Sequence, residues 1–181
     1  MGCGIGGTSR HLAKNNGCKV SGVTISGRQV EIAEKITREA AAAMEQEKSD
    51  ASSFIKLGDG SVRYIELDAE KMGEYFTTAP NEASFDYVWI SEAMSHLPDK
   101  SLFFQNTAKL LKKGGKLVVA DWFKAADLTS AQTEADIKPI EDGMLLPPLC
   151  TQSEYVGYAK QAGLGVFSEP FDISKDVSKT W

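Results

Sequence analysis

What this sequence lacks narrows it before any motif is read. Its 181 residues include only 3 cysteines and 2 histidines. Cys3, Cys18 and Cys150 are odd in number and show no C-x-x-C spacing. That argues against a disulfide framework and carries the expectation of reduced thiols in a cytoplasmic protein. No Cys/His/Asp grouping has metal-ligand spacing, so no metal is expected. Gly-x-Ser-x-Gly does not occur, and no Ser-His-Asp set is supported. Lys and Arg number 20 against 25 Asp and Glu, a net charge of −5, and no basic cluster stands out. A nucleic-acid partner is therefore not expected. No apolar run reaches spanning length, so no membrane span is expected, and the first residues lack the basic and apolar regions of a signal peptide.

What is present is the profile of a globular domain, with 42% hydrophobic and 25% charged residues, long enough to bury roughly 70% of its unfolded surface. "MGCGIGGTSRHLA" opens the chain with Gly2, Gly4, Gly6 and Gly7. The spacing predicts a helix from Thr8 to Asn16, stopped by Gly17. "CKVSGVTIS" alternates and is β-branched, the pattern of a strand. Ser26 is placed to cap a long helix with Val30, Ala33, Ile36 and Ala40 on one face. Ser49 to Ser61 reads as a polar loop, and "VRYIELD" as a strand ending at Asp68. Phe85 to Ser91 reads as a buried strand. Asp99 is placed to cap "KSLFFQNTAKLLKK", a helix closed by Gly114 and Gly115, and "KLVVADWF" follows as a strand. Thr151 and Glu154 have capping-box spacing, and "LGVFSEPFDI" reads as a last strand. Strand and helix alternate, which predicts an α/β fold, a doubly wound and mostly parallel sheet with helices on both faces. Residues 125–150 break that rhythm and are expected to form an inserted lid or acceptor-pocket segment within a single domain spanning 1–181.

A glycine-rich loop ahead of a helix lets a ligand approach the backbone and presents free N–H groups. A dinucleotide and S-adenosylmethionine compete for it. The dinucleotide reading wants an acid about 20 residues on, for the ribose. "GVTISGRQV" offers none, which weakens that reading and leaves both open.

"GCGIGGTSRHLA", "GVTISGRQVEIA", "ELDAEKM", "SFDYVWISEAMSHLPD" and "AKLLKKGGKLVVADW" follow one another in an order and spacing that resembles the class I S-adenosylmethionine-dependent methyltransferases. The similarity is greatest to the small-molecule branch with γ-tocopherol, sterol C-24 and sarcosine/dimethylglycine methyltransferases. The resemblance implies a Rossmann-like fold, S-adenosylmethionine as cofactor and a small, apolar or natural-product acceptor. It carries cofactor contacts to Gly2, Cys3, Gly4 and Gly6 beneath the methionine part, with Ser91 and Glu92 beside it. Thr24, Ile25 and Gln29 fall at the ribose, the hydroxyl and amide replacing the missing acid. Asp68 and Ala69 fall at the adenine.

Methyl transfer from a sulfonium is an in-line displacement on an activated carbon, so the protein mainly positions its partners. A base is needed only where the acceptor loses a proton. The catalytic candidates are His96, in "SEAMSHLPD", and Asp121, in "VVADWF"; Glu92 is a third. In relatives a second His can precede the first, and here that place is Ser95. His11 is expected to be structural or exposed. Trp122, Phe123, Met144, Leu145, Leu146 and Tyr155 are candidate acceptor-pocket residues. Two rivals remain, a nicotinamide-dependent oxidoreductase and a non-methylating member of the fold acting as partner subunit or template. The resemblance also implies a central strand and an acid ahead of the glycine loop, and further chain after "SKDVSKTW". The expectation is a truncated domain whose gap lies between the strands ending near Thr24 and Ser91, completed by a homo-oligomer or second chain.

Overall fold

The computed structural model describes residues 1–44, 53–77 and 83–179. After the glycine loop comes α1 (Gly7–Asn16), closed by Gly17 at φ +66°. β1 (Lys19–Thr24) leads to α2 (Gly27–Ala42), where the Ser26 hydroxyl accepts the Gln29 N–H as an N-cap. β2 (Ile55–Leu57), β3 (Gly60–Glu66), α3 (Met72–Phe76) and β4 (Phe85–Ser91) follow. Asp99 caps α4 (Lys100–Leu110) through the Leu102 N–H, and β5 (Leu111–Ala120) continues from it. Ser130–Gln132 (α5), a π-helical turn at Thr133–Ile137 and Lys138–Gly143 (α6) run on within the 125–150 segment. Thr151 and Glu154 form both halves of the capping box that starts α7 (Gln152–Gln161).

The chain is α/β and Rossmann-like, but among the described residues the strands form two sheets. One has the order β1-β3-β2, with β1 parallel and β2 antiparallel to β3; the other is β4 and β5 in parallel. Each sheet has its own core. Val62, Tyr64, Ile55 and Leu57 pack on Ala13, Ala33 and Ala41 from α1 and α2. Val88 and Ile90 pack with Met72, Met94, Phe103 and Leu110, and Val23 of β1 joins this second cluster. On α2 the buried stripe is Ala33, Thr37 and Ala41, so the small residues, more than Ile36, let the helix approach the sheet.

Four local expectations need correction. The stretch read as a loop over 49–61 contains β2 and the start of β3, joined by the two-residue turn Gly58-Asp59 with Gly58 at φ +61°; residues 49–52 lie outside the described residues. Ile55 and Leu57 bury alternate positions there, a pattern too short to stand out. β3 ends at Glu66, and Asp68 instead caps the 3₁₀ turn Ala69–Lys71 through the Glu70 N–H. α4 ends at Leu110 rather than at the glycines, because Leu111 and residues 116–120 pair with β4. The register slips between Phe85 and Tyr87 to accommodate Gly114 and Gly115. Finally, 164–173 is not a strand. Pro170 removes a ladder donor, and Phe167 lies beneath the Lys116 ammonium at 3.8 Å.

Candidate functional site

The carboxyl ends of β1, β3 and β4 converge on the glycine loop. The Cys3 N–H donates to the Val23 carbonyl at 2.9 Å, the Leu67 N–H donates to Thr24 O at 2.9 Å, and the Met1 amine donates to Trp89 O at 2.6 Å. Gly2 (φ +62°) lies so close to Ala93, just after β4, that any Cβ would collide with it. Gly6 (φ +81°) lies equally close to the Tyr64 hydroxyl, while Gly4 (φ +51°) faces open space. The loop is thus closed beneath by Tyr64 and Ala93 and open at Gly4.

Thr24 and Gln29, five residues apart in sequence, meet directly. Buried Thr24 donates its hydroxyl to Gln29 Oε1 at 2.6 Å and accepts the Ser26 N–H at 3.3 Å. The turn that carries Ser26 as helix cap therefore also aims the Gln29 amide at the end of β1. Ile25, between them, is 77% exposed. Asp68 follows β3 by two residues, as the cap of the Ala69–Lys71 turn, where its Oδ1 accepts the Glu70 N–H at 2.9 Å, and Ala69 is buried.

On the other sheet, Ser91 ends β4 and Glu92 follows in the left-handed region at φ +50°, its N–H donating to Ala120 O at 2.8 Å. A non-glycine residue in that region stores strain and turns the chain sharply. His96 ends the 3₁₀ turn Met94–His96 and is exposed. Asp121 is committed to backbone: Oδ2 accepts the Ser95 N–H at 2.9 Å and Oδ1 the Trp122 N–H at 2.8 Å. Phe123 stacks edge-on against buried Tyr155 at 4.8 Å and Leu146 is buried, while Met144 and Leu145 are exposed. Burial, reinforced by the Asp121 charge, drives the Tyr155 hydroxyl far above its ordinary pKa and keeps it neutral. His11 pairs with Asn15 on the surface of α1. Among the described residues no group of His, Cys, Asp and Glu could hold a metal, and no helix is long and apolar enough to cross a membrane.

Two residues escaped the sequence reading. Lys100 is 5% exposed and donates to Leu97 O at 3.0 Å and Ser95 O at 3.5 Å, clamping the turn that carries His96. Its signal was a lysine at the first position of a helix, where the dipole disfavours a cation. Tyr64 bonds to the Thr37 hydroxyl at 3.0 Å beneath the loop. Period-two burial with Val62 pointed it inward.

A family model described as a methyltransferase domain matches residues 1–119. The probable chloroplastic tocopherol O-methyltransferase of Oryza sativa subsp. japonica is 30% identical over 189 residues, covering 100% of this chain and 45% of its own. The 2-methyl-6-phytyl-1,4-hydroquinone methyltransferase of Synechocystis sp. is 37% identical over 127 residues, 70% of this chain and 32% of its own. The chain thus spans less than half the length of these curated relatives. In fold it is similar to the geranyl diphosphate C-methyltransferase of Streptomyces coelicolor A3(2), solved with Mg²⁺, geranyl diphosphate and S-adenosyl-L-homocysteine. That match has a TM-score of 0.66 at 20% identity and covers 89% of this chain and 50% of that one. These comparisons support S-adenosylmethionine as the cofactor. The donor set fits such a group, with a hydroxyl and an amide at the end of β1, a carboxylate after β3 and an open-backbone glycine loop.

Proposed function

This chain belongs to the methyltransferase-domain family, and from that premise we propose that it transfers a methyl group to a small apolar acceptor bearing a nucleophilic atom, a hydroquinone or chromanol ring being the class nearest to its relatives' names. The observation that carries the reading is the Thr24–Gln29 hydrogen bond of 2.6 Å at the end of β1, beside the glycine loop. When bound, S-adenosylmethionine supplies a methyl group already activated on its sulfonium.

The chain's own residues then hold and orient. Thr24 and Gln29 bind the two ribose hydroxyls with neutral groups. Asp68 accepts from the adenine amino group, and the Ala69 N–H serves the ring. Gly2, Cys3, Gly4 and Gly6 line the methionine end, with Ser91 and Glu92 across from them. Positioning of this kind can contribute about 7–11 kcal/mol toward the barrier. Asp121 acts through the backbone, holding the Ser95 peptide and hence the His96 turn. His96, exposed on that turn, orients the acceptor or takes its proton. Phe123 just ahead of the 125–150 region, Leu146 within it and Tyr155 of α7 give the acceptor an apolar wall.

The test is methyl transfer from isotopically labelled S-adenosylmethionine to 2-methyl-6-phytyl-1,4-hydroquinone and to a tocopherol lacking one ring methyl. Labelled product that disappears in Thr24→Val/Gln29→Leu supports the reading. Label that stays on the cofactor with both acceptors, although the cofactor binds, contradicts the acceptor class.

A further inference from the structure

Tyr64 of β3 sits in a slot that two glycines leave open. A Cβ at Gly6 of the loop or at Gly22 of β1 would collide with its side chain. That side chain is 6% exposed and lies in the core cluster with Ala13, Ala33, Ile55 and Val62. Its hydroxyl is 3.0 Å from Thr37 Oγ1 on α2 and 3.4 Å from the Gly6 carbonyl. Thr37 is wholly buried, and its Oγ1 is 2.6 Å from Ala33 O. Burial raises the Tyr64 pKa, so the phenol keeps its hydrogen. The two hydroxyls have two orientations open to them. With Thr37 donating to Ala33 O, Tyr64 donates to Thr37. With Thr37 donating to Tyr64, Tyr64 donates to Gly6 O. Both arrangements tie β3 to α2, and the second ties the loop to both.

Packing alone does not call for these hydroxyls. Phe and Val would fill the same space, and replacing a buried bonded pair by apolar groups of the same shape is close to neutral for stability. The positions they bridge are more telling. α2 carries Gln29 about two turns before Thr37, about 12 Å along the axis. The Gly6 carbonyl accepts the Arg10 N–H at 2.9 Å as α1 begins, and the Gly6 N–H donates to Cys3 O at 2.9 Å. A trans peptide points its N–H opposite to its C=O. A Gly6 carbonyl held toward Tyr64 therefore turns the Gly7 N–H away from it, and Gly7 has open space around it. We infer that Tyr64 and Thr37 are positioning residues for the cofactor site, an inference that rests on the methyl-transfer reading: acting through the backbone, they hold the glycine loop in register with α2, so that the methionine and ribose ends of S-adenosylmethionine meet one preset frame.

The experiment sets affinity against stability in two variants. Tyr64→Phe/Thr37→Val removes both hydroxyls and keeps the shape. It is expected to keep the wild-type melting temperature, to bind S-adenosylmethionine about five- to tenfold more weakly by calorimetry, and to speed hydrogen exchange at the Gly6 and Arg10 amides of the cofactor-free chain. Thr37→Ser keeps the hydroxyl and loses a buried methyl. It is expected to melt lower and to bind with wild-type affinity. Affinity that follows melting temperature across the two variants overturns the inference, because the pair then serves the fold alone. So does a double variant with wild-type exchange at Gly6 and Arg10. A wild-type chain that binds no S-adenosylmethionine contradicts the proposed function instead, and the exchange of the cofactor-free chain then decides whether the pair holds the loop.

Discussion

Asp121 holds Ser95: the carboxylate at the end of β5 accepts the Ser95 N–H at 2.9 Å and so fixes the turn after β4 from the neighbouring strand. An acid placed for proton abstraction keeps an oxygen free for its acceptor, whereas both oxygens of Asp121 accept backbone N–H groups. Asp121→Asn turns one of those acceptors into a donor facing an N–H. The expected cost is about 1–3 kcal/mol of stability, read as a lower denaturant midpoint. Any loss of turnover should be accompanied by that loss of stability. His96→Ala, on an exposed side chain, should leave the midpoint unchanged and lower turnover about 10²-fold if it serves as base. A His96→Ala variant with wild-type turnover means that positioning alone suffices.

Lys100 supplies the second clamp on the same turn, donating to Leu97 O and Ser95 O while nearly buried. Lys100→Met keeps the apolar stem but leaves the two carbonyls without that donor. The expected result is a destabilisation of about 1–3 kcal/mol and faster exchange at residues 94–97. Unchanged exchange there would show that Asp121 holds the turn alone.

The glycine loop separates conformational cost from steric cost. Gly4 is at φ +51° with open space around the position of a Cβ, so Gly4→Ala should cost roughly 1–2 kcal/mol from backbone conformation alone. Gly6→Ala adds a collision with the Tyr64 hydroxyl and should cost more. Equal melting temperatures for the two variants would contradict this packing of the loop on Tyr64.

Glu154 gives a pH signature. The Thr151 N–H and hydroxyl bonded to its carboxylate hold its pKa below the ordinary glutamate value. A group whose folded pKa is depressed contributes fully above its unfolded pKa, about 4.3, and that contribution is lost as pH falls through the folded value. Glu154→Gln keeps the capping box but removes the charge. The difference in melting temperature between wild type and Glu154→Gln should therefore be flat above about pH 5.5. Below that it should shift toward the variant. A pH-independent difference would mean that the charge plays no part.

Much of this was legible from local chemistry. The caps at Ser26, Asp99 and Thr151, the stop at Gly17 and the strand at Phe85–Ser91 are each set by residues within a few positions, and the structure places them there. Thr24 and Gln29 were singled out only through the family resemblance, and the hydrogen bond between them was not anticipated. The failures involve partners distant in sequence. Leu111 looks helical by itself and is strand because it pairs with Phe85 of β4. Residues 164–173 alternate like a strand and are not one, Phe167 instead meeting Lys116, 51 positions earlier. The commitment of Asp121 to Ser95 bridges 26 positions, and no local pattern announces it.

The most direct test of the central claim is a residue-resolved NMR titration of the isotopically labelled chain with S-adenosylmethionine and, separately, with NADPH. The account predicts that S-adenosylmethionine shifts amides in 2–7, 24–29, 68–69 and 91–92, that Thr24→Val/Gln29→Leu loses those shifts while keeping its dispersed spectrum, and that NADPH leaves them in place. Shifts at the same residues with NADPH and none with S-adenosylmethionine would contradict it.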